Sequence, residues 1–135
     1  MAIAYRILPA QRLVHTWTDG ALTDADLAAH RAQLLADPNF RPEFDQLVEC
    51  LGAQPSSISQ RGVSTSVTET VFSPKSRRAF VAVKDISFGV ARMFALMQPP
   101  GTQVEVFRAV EPALRWLGQS PDAVTPVSAA RGEER

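Results

Sequence analysis

The side chains that could carry chemistry are few: His15, His30, Cys50, Arg92 and the cluster Lys75, Arg77 and Arg78. A metal centre needs three or four His, Cys or carboxylate ligands at short, regular spacing. His15 and His30 fall in separate predicted elements, and no spacing of ligand type accompanies either. A nucleophile needs a base within reach, and no Ser/His/Asp or Cys/His set follows from spacing. Cys50 falls inside a predicted buried strand, whereas a reactive thiol needs an accessible, electropositive setting. The seven glycines form neither GxGxxG nor GxxxxGKS/T, so no phosphate loop is expected. His15 shares a strand face with Leu13 and Trp17, and His30 borders the apolar stripe begun by Leu27. Both are expected as packed or surface residues. Lys75, Arg77 and Arg78 are expected in a solvated loop, with a partner's acidic patch as the alternative. No catalytic residue, metal or cofactor is predicted. An enzyme would need a cleft that gathers His15, His30, Cys50 or Arg92 with a carboxylate.

The elements that must position these residues are marked off by prolines, which remove a backbone donor and break element interiors. Ile3, Tyr5 and Ile7 alternate with Ala4 and Arg6, the period of a strand over 3–8. The β-branched and aromatic residues of 12–18 predict a second strand, and Pro9-Ala10-Gln11 between them suits a hairpin. Thr23 and Asp26 have capping-box spacing, and Leu22 with Leu27 the spacing of a hydrophobic staple. A helix follows, with Leu27, Leu34 and Leu35 on one face. Residues 46–51 predict a strand. Over 56–72 the spacing of Val63, Val67 and Val71 fits a helix face, although Thr and Val favour strand. A parallel sheet needs a crossover at this place, which decides for helix. Residues 78–84 are apolar on both faces, as in a central strand. Asp85 can cap a helix over 86–98, whose Val90, Met93, Phe94 and Met97 form a predicted core stripe. A strand over 103–107 and a short helix over 110–117, ended by Gly118, complete the order β-β-α-β-α-β-α-β-α. This order predicts an α/β fold with a mostly parallel sheet and an antiparallel first strand. A single domain is expected over 1–118, with 119–135 a disordered tail.

Composition narrows the functional classes. Hydrophobic residues make up 45% of the 135 and charged residues 21%, the balance of an ordinary globular domain. Basic and acidic residues number 14 each. Zero net charge gives no electrostatic reason to expect nucleic acid or an anionic membrane as partner. No apolar run is long enough to span a bilayer, and the N-terminus lacks the pattern of a signal peptide. A single cysteine suits a reducing compartment, so a cytoplasmic location is expected.

Four stretches, WTDGALTDADL, DPNFRPEFDQLVEC, RRAFVAVKDISFGVARMF and VEVFRAVEPALRWLG, resemble the SpoIIAA-like proteins in their order and spacing. These are a largely uncharacterised bacterial family related to STAS domains, and the stretches cover most of residues 3–118. The resemblance implies the STAS-type fold. In anti-sigma-factor antagonists of that superfamily, a phosphorylated serine sits at a helix start in an Asp-Ser-Ser-Gly-like motif. The matching region here is ECLGAQPSSISQRG, which offers Ser56, Ser57 and Ser59 but lacks the acidic residue and glycine. Phe88, Gly89, Arg92 and Met93 are the candidate ligand or partner positions on the third helix. Gly89 could give a ligand access to backbone near the helix N-terminus, with Arg92 reaching a carboxylate or phosphate. Tight helix–sheet packing is the alternative account of Gly89. Two functions follow. The first is a non-enzymatic regulatory module that binds an unknown protein partner or itself, as a dimer. The second is a carrier or sensor of a small apolar or amphiphilic, lipid-like ligand.

Overall fold

A computed structural model describes residues 3–52 and 58–127. The strands are β1 (Ile3–Leu8), β2 (Leu13–Thr18), β3 (Asp45–Cys50), β4 (Arg77–Ala82) and β5 (Gln103–Phe107). The helices are α1 (Asp24–Ala36), α2 (Gln60–Thr68), α3 (Asp85–Leu96) and α4 (Val110–Trp116). The strands lie in the order β1-β2-β3-β4-β5. β1 and β2 pair antiparallel through a single 3₁₀ turn at Pro9–Gln11, and all later pairs are parallel. The predicted fold class and element order are those observed.

Each strand is added on the same side of its predecessor, so the three crossover helices all fall on one face. Val14, Leu34, Phe40, Phe44 and Phe72 pack together there, and Val63, Phe94 and Val104 form a second group. On the opposite face, Leu13, Leu47, Ala79 and Val81 meet Val110, Ala113 and Leu114 of α4. Burying a leucine of this kind contributes about 1.5–3 kcal/mol.

Local signals act as the sequence predicts at several places. Thr23 caps α1 and forms a reciprocal capping box with Asp26. Residues 60–68 are helical, so the need for a crossover outweighs the strand preference of Thr and Val. Gly118, at φ 76°, ends α4 in the left-handed conformation that glycine adopts without steric cost.

Other expectations are corrected. Leu35 points to solvent at 68% exposure, and only Leu34 of that pair is buried. Asp85 is the first residue of α3 and not its cap: Lys84 holds the cap position, and Asp85 pairs with Arg108 at 3.0 Å. The packed chain continues past Gly118 to Val127. Val124 is 4% exposed and joins the α4 cluster, Arg6 donates to the Thr125 carbonyl, and the Val127 amide donates to Glu49. One buried valine and a few main-chain hydrogen bonds are enough to lay this polar segment against the sheet. Among the described residues, no helix is long and apolar enough to cross a membrane.

Candidate ligand cavity

The three crossover helices do not close completely on the sheet. A cavity of about 160 Å³ lies between them. Alternate residues of the central strands form its floor, because side chains two apart share a sheet face. Gln46 pairs with Arg78 at one end, Thr16, Val48 and Phe80 make the middle rung, and Thr18 pairs with Cys50 at the other end. Gln46 to Cys50 spans roughly 13 Å at the usual strand rise. Leu27, His30 and Leu34 of α1 face it, with Val63 of α2 and Ser87, Ala91 and Phe94 of α3.

The end near Gln46 is polar. Arg78 Nε donates to Gln46 Oε1 at 3.0 Å, and Arg78 Nη1 reaches Thr70 Oγ1 at 3.5 Å. The guanidinium stands over three rings, 4.6 Å from the centroid of Phe72, 5.3 Å from Phe94 and 5.8 Å from Phe80. None of the ion pairs among the described residues involves it. Burial pulls its pKa down to about 10, so it is still a cation at neutral pH.

The hydrogen bonds continue into the wall. Gln46 Nε2 donates to Thr16 Oγ1 at 2.9 Å, and Thr16 Oγ1 lies 3.3 Å from His30 Nε2. Burial, reinforced by the charges of Arg78 and Arg31, pushes the His30 pKa down to about 4. The ring is therefore neutral. Thr16 Oγ1 accepts from Gln46 and also shares a hydrogen bond with His30 Nε2, whose direction follows the ring tautomer. His30 Nδ1 and Ser87 Oγ are buried without a hydrogen-bond partner among the described residues, and Thr18 Oγ1 has the Cys50 thiol beside it. All three residues line the cavity. Such groups in a native fold call for a partner.

Cys50 also lines the cavity, but burial pushes its thiol up to about 12. It is protonated at neutral pH and a poor nucleophile. His15 lies on the other face of the sheet, bonded to Glu49, and Arg92 is exposed on the outside of α3. The cavity thus gathers His30 and Cys50, while His15 and Arg92 lie elsewhere and no carboxylate among the described residues lines it. No group of three or more His, Cys, Asp or Glu side chains among the described residues could hold a metal ion.

The candidate positions on α3 lie away from the cavity. Phe88 is stacked beneath the Arg108 guanidinium at 3.9 Å. Arg92 is exposed, and Met93 is 43% exposed. A side chain at Gly89 would meet nothing within 4 Å, so close packing does not explain this glycine. The predicted stripe divides: Phe94 is buried, while Met93 and Met97 face outward. Ser87, Ala91 and Phe94, at i, i+4 and i+7, are the inward row. Ser59 is the N-cap of α2, and its hydroxyl donates to Asp24 at 2.5 Å. Ser56 and Ser57 lie outside the described residues.

The residue that sequence reasoning placed differently is Arg78, expected in a solvated basic run. Strand parity carried the signal: Arg78 shares its face with Phe80 and Ala82, the face that the crossover helices cover. Arg77, one residue earlier, is exposed and lies against Trp116 on the α4 side.

No family model and no curated protein matches the sequence. Among solved structures, the chain is similar to an uncharacterised protein of the DUF3478 family with a SpoIIAA-like fold, from Shewanella loihica PV-4. The two are 19% identical, with a TM-score of 0.59, and the match covers 86% of this chain and 94% of that one. Sheet order, the antiparallel first strand and this likeness agree on one conclusion: the chain has a SpoIIAA-like fold.

Proposed function

We propose that this protein is a non-enzymatic carrier or sensor that holds one compact apolar or amphiphilic molecule between the sheet and α1–α3. The observation that carries this reading is the apolar cavity of about 160 Å³, lined by His30 and Ser87, whose Nδ1 and Oγ have no hydrogen-bond partner among the described residues. Apolar cavities of about this size take up a benzene-sized guest. Native mass spectrometry of the purified chain, with thermal unfolding against benzene, toluene and octan-1-ol, tests the proposal. Guests should raise the unfolding temperature, and Ala91→Met, which fills the space from α3, should abolish the rise. An unfolding temperature unmoved by every guest, with no co-purified mass, would overturn it.

The regulatory-module reading rests on a different feature. Ile86, Met93, Leu96 and Met97 leave an apolar row exposed along α3, and exposed patches of this kind mark interaction surfaces. Light scattering after size exclusion, with Met93→Glu as control, tests it through self-association. A monomer at high concentration, unaffected by the substitution, counts against a dimer.

A further inference from the structure

We infer that the occupant of the cavity is a small carboxylate, an apolar body ending in a single anionic head that seats on Arg78. This rests on the reading of the cavity as a ligand site. It adds the charge and orientation of what is bound.

The charge of the wall points this way. Two of the lining residues are charged, Arg78 and Arg31, and both are cations. No Asp or Glu lines the cavity among the described residues. Arg31 is turned to Ser66, its Nη1 donating to Ser66 Oγ at 3.1 Å. Arg78 keeps hydrogen-bonding capacity in reserve: Nε is used by Gln46 and Nη1 is weakly held by Thr70. Nη2 makes no hydrogen bond among the described residues. A half-buried cation such as Arg78 gives up part of its hydration, a loss that a paired anion offsets. Ring faces compensate a guanidinium only in part, whereas a carboxylate matches its planar fork of donors.

Geometry fixes the orientation. Phe72, Phe80 and Phe94 crowd the guanidinium on the ring side, and Nε is tied to Gln46. His30, close enough for the charge of Arg78 to bear on it, adds Nδ1 as a ring nitrogen without a hydrogen-bond partner among the described residues. From the Arg78–Gln46 rung the floor runs past Val48 and Phe80 towards Cys50. A short alkyl chain or one aromatic ring fits the volume.

Calorimetry and heteronuclear NMR on the full chain with octanoate and octan-1-ol test this. These two probes share a body and differ in head charge. Octanoate should bind about tenfold tighter or more and should shift the Arg78 Nε–H resonance, which octan-1-ol leaves in place. Arg78→Met should erase the preference while octan-1-ol still binds. Should that variant fail to fold, the Arg78 resonance of the unmutated chain decides alone. Equal affinity for both probes, or an unmoved Arg78 resonance, overturns the anionic head but leaves the cavity as a ligand site. Binding of neither probe overturns the inference together with the reading beneath it.

Discussion

His15 Nε2 and Glu49 Oε2 lie 2.6 Å apart, both side chains buried beneath the segment that follows α4. Arg6 Nε donates to His15 Nδ1 at 3.1 Å, so the ring proton sits on Nε2 and is given to the carboxylate. The same oxygen accepts the Val127 amide at 2.8 Å. Glu49→Leu would strand a ring N–H and a main-chain N–H together. The expected loss is about 3–5 kcal/mol, measured by urea unfolding. Glu49→Gln, which keeps an acceptor, should lose less.

His30 makes stability depend on pH in a defined window. In the folded chain it stays neutral down to about pH 4, while in the unfolded chain it takes a proton near the ordinary value of 6.5. Between these values the unfolded state binds more protons. Stability is therefore whole above pH 6.5 and falls as pH drops towards 4, by on the order of 3 kcal/mol. The expected outcome is a steep fall for the unmutated chain and a shallower one for His30→Gln, each followed by urea midpoints at stepped pH.

Two glycines should respond oppositely to alanine. Gly89 sits within α3 with open space around it, so Gly89→Ala should stabilise by about 0.5–1 kcal/mol through helix propensity. At Gly62 a β-carbon would collide with the Asp24 carboxylate. That carboxylate accepts from both the amide and the hydroxyl of Ser59, bonds that hold its pKa below the ordinary range. Gly62→Ala should lower the unfolding temperature and let the Asp24 pKa rise, read from its carboxyl carbon by NMR.

The Cys50 thiol titrates at about 12 rather than 9. Iodoacetamide at pH 8 should therefore label the folded chain on the order of 10²–10³ times more slowly than the urea-unfolded chain. Above pH 9 the unfolded thiol ionises first, so the Cys50 contribution to stability declines as pH rises. Labelling at the unfolded rate in native buffer would show that the wall around Cys50 opens freely.

The scaffold was legible because its signals are local. Prolines set the breaks, alternation at Ile3, Tyr5 and Ile7 marks a strand, and Thr23 with Asp26 marks a helix start. The helix over 60–68 followed from a topological need that single-residue preference opposes. The cavity was not legible, because its polar end joins parts far apart in the chain. Phe72, Phe80 and Phe94 enclose Arg78, and His30 meets Thr16 across the sheet face. The outward face of α3 was hidden for another reason. Its helix is apolar on nearly every side, so periodicity alone could not choose between Met93 and Ala91 as the buried row.

The five-stranded sheet separates two layers of unequal finish. Beneath α4, Leu13, Leu47, Ala79 and Ala113 leave no accessible surface, whereas the opposite layer keeps an open cavity and polar atoms without partners among the described residues. The dense layer can hold the chain together while the loose one is re-lined by substitution. Descendants of such a scaffold could change their guest without having to rediscover how to fold.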